Sequence, residues 1–302
     1  MAAWGVARRE RETVMPVATN LCPIPYAGGK SRAASLVWQA FAGINSYIEP
    51  CCGTAAVLLS RPRKLRFETI NDADGLVVNF WRAVQVNPVG VGRWLERPRS
   101  ELELSSCGRW LSSLCLAERL RADPSYYDVA AAGVWAWYMS GSINPAVKAT
   151  RKQQPRLIRQ GVLGERFQAE KMARLLALQE ALRDVRVLCG DWSAALGRSN
   201  HQDAWHTDPV GVFLDPPYEG FEFYNEGKAG ISAAVRAWAI EHGNDTAWHI
   251  VLCGYEGEHA MPDGWTCQTW LAKGRVSGKH TECIWLSPHC AKESLASHCD
   301  RH

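Results

Sequence analysis

The residues with the clearest chemical potential are Asp215-Pro216-Pro217-Tyr218, which directly follow the apolar run at 210–214. Two consecutive prolines fix φ twice and remove two N–H donors, so the turn is stiff and leaves backbone carbonyls unpaired. A flat ring bearing an amino group could stack on Tyr218 while that group donates to the Asp215 carboxylate and to a proline carbonyl. These acceptors would hold the nitrogen lone pair towards an electrophile. The alternative is an ordinary loop containing a helix-breaking Pro-Pro pair.

A second candidate is the glycine-containing segment at residues 25–30 (PYAGGK), which precedes a predicted helix at about 31–41. Paired glycines permit close approach of another group to the backbone. Lys30 at the start of a helix suits an anion such as a carboxylate. Considered alone, this motif is equally well explained as an ordinary turn.

Two further candidates follow predicted strands. Residues 49–55 (EPCCGTA) form a strand end and a tight turn into a helix, where a nucleotide-like ligand could approach. This turn differs from the GxGxxG dinucleotide fingerprint. Asp72 ends the next predicted strand about 20 residues on, where an acid suits ribose hydroxyls. Its alternative role is the N-cap of the helix that begins at Gly75.

The elements that would position these residues are short apolar strands separated by helices, which predict a doubly wound α/β sheet. The predicted strands lie at residues 46–49, 66–70, 185–188, 210–214, 248–253 and 281–286. Ligands bind at the carboxyl ends of the strands in such sheets. Four strands end in an acid or an acid-bearing turn: Glu49, Asp72, Asp191 and Asp215. The sequence therefore predicts a site at that edge of the sheet.

The region between the two blocks of strands, from about 76 to 180, is predicted to be helical and contains a local concentration of positive charge. The whole chain has 302 residues and a net charge of only +3, yet residues 148–174 hold eight basic and two acidic residues. Such a segment is typical of phosphate contacts with a nucleic acid. The alternative is a solvated charged face.

The composition excludes several classes of protein. With 47% apolar and 22% charged residues, the chain is not globally disordered. No stretch approaches the roughly 20 apolar residues of a membrane span. Residues 1–15 carry three arginines but no apolar run after them, which predicts a mobile leader rather than a signal peptide.

The cysteines predict neither disulfides nor zinc. There are eleven, an odd number, and none is in a CxxC pair. This pattern indicates reduced thiols that pack as small apolar groups in a cytosolic protein. The tail carries Cys290, His298, Cys299 and His302, which could form a metal site, although its composition favours a frayed terminus.

Taken together, the motifs resemble a known family. The order PYAGGK, EPCCGTAAVLL, IND, GDW and FLDPPY, within residues 23–287, resembles the Dam-type adenine-N6 DNA methyltransferases, which include many bacteriophage members. Residues 275–285 (RVSGKHTECIW) resemble the last hairpin of that family. The resemblance implies a Rossmann-like, seven-stranded S-adenosylmethionine-dependent methyltransferase sheet with an inserted helical target-recognition domain. It divides the chain into a flexible leader (1–22), a catalytic domain (23–75 and 181–288), the insert (76–180) and a flexible tail (289–302).

The resemblance also implies roles for individual residues. Asp72 would hold the ribose hydroxyls of S-adenosylmethionine, and Asp191 would bind its adenine amino group. The expected cofactor contacts are Tyr26, Gly28, Gly29, Lys30, Glu49, Pro50, Gly53, Asp72, Asp191, Trp192 and Asp215. The target base would be held by Asp215, Pro216, Pro217 and Tyr218. The expected DNA contacts, in the basic segment, are Lys148, Arg151, Lys152, Arg156 and Arg159.

The chain departs from the family pattern at two places. It has Cys51 and Ala55 where the family usually has Phe and a second Gly, although a small residue at 55 still permits close approach. In the insert, Asn144-Pro145 and the basic run replace the expected Asn-Gly-rich hairpin. No base-reading residue can therefore be assigned, and the target sequence stays open.

The predicted function is methyl transfer to adenine N6 in double-stranded DNA, by base flipping and direct transfer. We expect a cytoplasmic monomer or weak dimer without membrane or metal. Restriction-modification is the expected setting, although the residues do not specify a partner nuclease or a phage or host origin. Alternatives with the same fold are methylation of cytosine N4, RNA adenine or an amide nitrogen. A further alternative is a catalytically silent nucleic-acid-binding or scaffold protein.

Overall fold

The computed structural model describes residues 30, 33–95, 97, 100–141, 165–197, 208–218, 230–271 and 281–291. Residues 141, 165–169, 270 and 271 are described through their backbone alone. Among the described helices, none is both long enough and apolar enough to cross a membrane.

The described chain contains one sheet of seven strands in the order β3-β2-β1-β4-β5-β7-β6. Strands β3, β2, β1, β4 and β5 are parallel to one another, whereas β7 is antiparallel to both β5 and β6. The predicted α/β class is confirmed. The strands are β1 Ser46–Glu49, β2 Phe67–Asp72, β3 Arg186–Cys189, β4 Val210–Leu214, β5 Trp248–Tyr255, β6 Thr266–Leu271 and β7 Thr281–Leu286.

The central strands are buried along their whole length, which explains their near-continuous apolar sequences. Every residue of β1 and β4 is buried, as expected for parallel strands covered on both faces. Gly211 in β4 allows the segment after the first helix to approach, because a Cβ there would lie 2.4 Å from the Ile44 side chain. The strand order reverses between β1 and β4, so the crevice where such folds bind ligands opens at their carboxyl ends.

Helices occupy the region between β2 and β3, as the sequence predicts. They are α3 Gly75–Val86, α4 Pro88–Trp94, α5 Glu101–Ser113, α6 Leu116–Ala122, α7 Val129–Gly141 and α8 Glu165–Leu182. The remaining described helices are α1 Ala34–Ala40, α2 Ala56–Leu59, α9 Trp192–Ala195 and α10 Ile231–His242. The alternative role of Asp72 as the cap of α3 is wrong, because the side chain of Asp74 accepts from Leu76 N at 2.9 Å.

Helix α3 joins the helical region to the sheet through buried polar side chains. Arg82 donates from Nε to the β3 carbonyl of Val187 at 3.1 Å and from Nη1 to Leu120 O at 3.1 Å. Gln85 donates to the carbonyls of Leu182 and Val185, just before β3. These bonds join α3 to β3, to the turn before β3 and to the last turn of α6. The boundaries of a separate recognition domain stay a prediction.

Two features at the sheet margin were not evident from the apolar pattern. Strand β6 has exposed and half-buried side chains where they are described, since it lies at the edge of the sheet, and its sequence therefore lacks a buried-strand signal.

The segment after β7 packs against the rest of the protein. Cys290 is buried, and Ala291 N donates to Ala40 O at 3.0 Å. Residues 290 and 291, placed by sequence in the flexible tail, thus contact the sheet domain.

Candidate active site

The site lies at the carboxyl ends of β1 and β4, where the strand order reverses. Glu49 is the last residue of β1, and Asp215 directly follows β4. Lys30 precedes α1 and is buried beside them. Three segments that are far apart in the chain therefore meet at the edge of the sheet that the sequence predicts as a ligand site.

The central feature is Asp215, whose two carboxylate oxygens contact different partners. Lys30 Nζ lies 3.0 Å from Asp215 Oδ2. The hydroxyl of Tyr218 donates to Asp215 Oδ1 at 3.0 Å. Lys30 Nζ also lies 4.9 Å from the centre of the Tyr218 ring, a cation–π distance. The anion that the sequence predicts beside Lys30 is, in this structure, the Asp215 carboxylate.

The charges of this cluster follow from burial and proximity. Burial is the largest single influence and lowers the pKa of Lys30, but Asp215, Cys253 and Glu282 together outweigh it, and the net pKa lies above its usual range. Burial raises the pKa of Asp215, against the opposing effects of Lys30 and the Tyr218 hydroxyl. Burial also raises the pKa of Tyr218 well above its usual value. Lys30 is thus a cation and Tyr218 a neutral phenol at physiological pH.

Glu49 is a buried acid on the other side of the crevice. Its Oε2 accepts from the Tyr47 hydroxyl at 3.0 Å and from Leu58 N at 3.3 Å, which ties β1 to α2. Burial raises the pKa of Glu49 to about 8, although these hydrogen bonds lower it. The nearby acids Asp215 and Asp72 raise it further. The carboxyl group therefore carries a proton near neutral pH in the unliganded protein.

Glu49 is expected to make stability depend on pH. Its folded pKa of about 8 exceeds the ordinary value of 4.5, so between these pH values the folded chain holds a proton that the unfolded chain releases. The free energy of unfolding then decreases as pH rises, by at most about 1.4 kcal/mol per unit. Urea unfolding from pH 5 to pH 8.5 should show wild type losing stability relative to Glu49→Gln. The matched control is Glu241→Gln on the exposed face of α10. Parallel curves for wild type and Glu49→Gln would contradict this assignment.

The turn between β1 and α2 has an unusual backbone. Gly53 has φ 46° and the buried Ala55 has φ 48°. A residue with a Cβ loses about 1–2 kcal/mol of conformational free energy when its backbone is left-handed, and glycine avoids that cost. Ala55, the departure from the family pattern, thus adopts a conformation that favours glycine. The turn keeps its close-approach geometry despite the substitution.

The turn is held by residues from the neighbouring elements. Asp72 Oδ2 accepts from Gly53 N at 2.9 Å, and its Oδ1 accepts from Asp74 N at 2.9 Å. Trp81 on α3 donates from Nε1 to Gly53 O at 2.9 Å. The helical region therefore supports the candidate cofactor turn directly.

Asn71 is a site residue that the sequence reasoning missed. Its buried Nδ2 donates to Pro50 O at 2.8 Å and to Gly190 O at 3.1 Å. The backbone carbonyl of Asn71 accepts from Cys52 N at 2.9 Å. One amide thus connects the carboxyl ends of β1, β2 and β3. A signal was present, because Asn is depleted in strands and its place in the predicted strand end calls for a structural reason.

The comparisons with known proteins return matches among solved structures alone. No family model matches the chain, and no curated protein matches it. Among solved structures, it is similar to the rRNA methyltransferase AviRa from Streptomyces viridochromogenes, at 15% identity over 93% of this chain and 95% of that chain, with a TM-score of 0.28. Independently of that match, the strand order, with antiparallel β7 between β5 and β6, is the Rossmann-like, seven-stranded sheet that the sequence resemblance implies.

In this Rossmann-like fold, the remaining predicted cofactor residues lie along the same edge of the sheet. Pro50 and Gly53 are in the turn after β1, and Asp72 is half-buried at the end of β2. Asp191 and the half-buried Trp192 follow β3. The Asp191 carboxylate caps α9 by accepting from Ser193 N at 3.0 Å and from its Oγ at 2.5 Å. The roles of these residues towards a cofactor stay predictions.

Several predicted contacts fall outside the described residues. They are Tyr26, Gly28, Gly29, Lys148, Arg151, Lys152, Arg156 and Arg159. Arg174, at the described end of the basic segment, forms an ion pair with Glu170 at 2.8 Å on an exposed face of α8. That contact fits the alternative of a solvated charged face for this end of the segment.

Five of the described cysteines are buried, as the sequence predicts for small apolar groups: Cys52, Cys107, Cys253, Cys283 and Cys290. Cys115 and Cys267 are exposed. Within the described ranges, no group of three or more His, Cys, Asp or Glu residues is placed to hold a metal ion. His298, Cys299 and His302, the other members of the alternative metal site, lie outside those ranges.

Proposed function

We propose that this chain transfers a methyl group from S-adenosylmethionine to the N6 amino group of adenine in DNA. The observation that carries the proposal is Asp215, which lies between Lys30 Nζ and the Tyr218 hydroxyl at 3.0 Å from each. This acceptor stands at the crevice of a Rossmann-like sheet, where the ligands of such sheets bind. Asp215 directly precedes Pro216 and Pro217, and a carbonyl of that turn could accept from the same amino group.

The residues of the crevice fit a cofactor that bears a positive sulfonium. Glu49, Asp72 and Asp215 place acidic groups along one edge of the sheet, and the pKa of Glu49 is raised in part by the other two. A bound cation would favour the ionised form of Glu49. Gly53, which has a left-handed backbone and no Cβ, permits close approach of a ligand. S-adenosylmethionine, when bound there, supplies an electrophilic methyl group.

The chain's own residues would orient the acceptor amine and stabilise the charge that forms on it. The amino group donates to Asp215, whose position is already set by Lys30 and Tyr218, so little reorganisation is needed during the reaction. With S-adenosylmethionine bound, the nitrogen–methyl bond would form as the methyl–sulfur bond breaks, and the amine would then lose a proton to solvent. Lys30 cannot take that proton, because it is already a cation. Alignment of the amine with the methyl group supplies much of the acceleration.

Tyr218 would compensate for the cost of taking the base out of the duplex. Flipping an adenine costs about a few kcal/mol. Stacking on an aromatic side chain is worth about 1–3 kcal/mol per base. Tyr218 is half-buried beside Asp215, so a base that stacks on its ring would bring its amino group to the carboxylate.

The decisive experiment supplies methyl-labelled S-adenosylmethionine with unmethylated DNA or with RNA, then digests the nucleic acid to nucleosides. We expect label in N6-methyladenine from DNA. Label in N4-methylcytosine, or in adenine from RNA, would overturn the acceptor while preserving methyl transfer. Absence of label, together with measured binding of the cofactor or of DNA, would instead indicate a silent binding protein. The exposed Asp184→Asn variant is the matched control for later substitutions of Asp215.

A further inference from the structure

Tyr255 lies beside the proposed base-binding turn, although the sequence reasoning assigned it no role. It is the last residue of β5, which runs parallel to β4 and extends beyond it. Since Leu214 pairs with Leu252, the end of β5 lies alongside the turn that begins at Asp215. The ring centres of Tyr255 and Tyr218 are 4.6 Å apart with planes at 69°. This edge-to-face arrangement is a favoured geometry for aromatic pairs.

Tyr255 is itself held on rigid elements. Its backbone N donates to Glu258 Oε2 at 2.9 Å. Glu258 Oε1 accepts from Ser232 Oγ on α10 at 2.6 Å. On its other side, Tyr255 is paired with Glu282 of β7 in the antiparallel register. The Tyr255 backbone is thus fixed from α10 and β7, independently of Asp215.

Tyr218 also packs against the hydrophobic core, and two of its polar contacts depend on Asp215. The Tyr218 hydroxyl donates to that carboxylate, and Lys30 reaches the ring from its ion pair with the same group. An adenine amino group that engages Asp215 would share that carboxylate with both partners. The contact with Tyr255 does not involve the carboxylate, so it persists when the substrate binds. The prolines before Tyr218 restrict its backbone but not its side-chain torsions.

We propose that Tyr255 is a positioning residue, which holds the Tyr218 ring in the plane on which the target base stacks. The proposal rests on the proposed function and deepens it. Tyr255 acts through Tyr218 rather than through contact with the reacting atoms. A ring that can rotate would bind the base in more orientations, and misalignment of the amine lowers the rate of transfer.

The test compares Tyr255→Leu, which removes the ring, with Tyr255→Phe, which retains it. Tyr127→Leu is the matched control, because Tyr127 is also half-buried but has no recorded role in this site. The rate is measured on whichever nucleic acid wild type methylates. We expect kcat to fall about tenfold in Tyr255→Leu and less than about twofold in Tyr255→Phe. The dissociation constant of S-adenosylmethionine should stay within about twofold of wild type in both.

Two spectroscopic measurements separate positioning from a general structural effect. Fluorescence of 2-aminopurine at the target position should be less quenched with Tyr255→Leu than with wild type, since stacking on Tyr218 is less ordered. In protein labelled at tyrosine rings, the Tyr218 NMR resonances should shift in Tyr255→Leu and not in Tyr127→Leu. Wild-type kcat in Tyr255→Leu, or an equal fall in kcat and in cofactor affinity, would overturn the proposal.

These outcomes are distinguishable from failure of the proposed function. Absence of methyl transfer by wild type would refute the proposed function and the catalytic part of this inference together. The NMR comparison needs no activity, so it would still report whether Tyr255 orders Tyr218. Unshifted Tyr218 resonances in an active enzyme would refute the positioning contact alone.

Discussion

Asp215→Ala is expected to reduce the rate of methyl transfer by at least about 10²–10³-fold, the effect of removing one preorganised group in other active sites. The reason is that, in the proposed reaction, Asp215 provides the acceptor for the reacting amine at the crevice. Substitution also leaves Lys30 as a buried cation without its carboxylate, which costs about 3–5 kcal/mol of stability. Activity and folding must therefore be measured on the same samples.

A second variant separates these two effects. Combining Asp215→Ala with Lys30→Met removes both charges of the buried pair, so stability should recover relative to Asp215→Ala alone. Methyl transfer should stay lost, because the acceptor is still absent. Circular dichroism and urea unfolding report the fold, and label transfer reports activity, with Asp184→Asn as the surface control. Wild-type activity in the folded double variant would refute the assignment of Asp215.

Arg61→Met is expected to lower the free energy of unfolding by about 3–5 kcal/mol. Arg61 Nε lies 2.7 Å from Glu68 Oε1, and both side chains are buried. The guanidinium also donates to Leu58 O at 3.0 Å and to Ala181 O at 2.5 Å, which joins α2 to the end of α8. Burial lowers the pKa of Arg61 and raises that of Glu68, while each partner opposes the shift of the other. Removing the cation leaves Glu68 buried without its ion-pair partner.

The pH dependence of stability provides a second test of the role of Arg61. Without Arg61, the folded-state pKa of Glu68 should rise further, so the Arg61→Met variant should lose stability relative to wild type as pH increases from about 5 to 8. Arg61→Met combined with Glu68→Leu should recover part of the loss. Arg174→Ala, which breaks an exposed ion pair, should cost no more than about 1 kcal/mol. Equal losses in Arg61→Met and Arg174→Ala would contradict a special role for the buried pair.

Much of the fold was predictable because its signals are local. The buried strands β1 and β4 have near-continuous apolar sequences, and the predicted strands at 185–188, 248–253 and 281–286 overlap the observed ones. The acids at strand ends could be assigned to one edge, since parallel strands in such folds bring their carboxyl ends together. The edge strand β6 lacked that signal, because an edge strand need not be apolar on both faces.

The contacts within the site were harder to predict because they depend on strand order. Lys30 was assigned an anion, but the sequence does not show that the anion beside it is Asp215. Asn71 connects three strand ends only because β1, β2 and β3 are neighbours. Tyr255 reaches Tyr218 only because β5 lies next to β4 in a register that carries it past the end of that strand.

The sequence by itself determined the α/β class, the acids at the carboxyl ends of the strands and the stiff Asp215–Tyr218 turn. These features are local, because the spacing of apolar residues and the geometry of proline act over only a few residues. The tertiary structure decided which of these residues meet. It paired Lys30 with Asp215, put Ala55 into the left-handed backbone and placed Tyr255 against Tyr218. The physical reason is that such contacts depend on strand order, register and burial, which no local stretch of sequence contains.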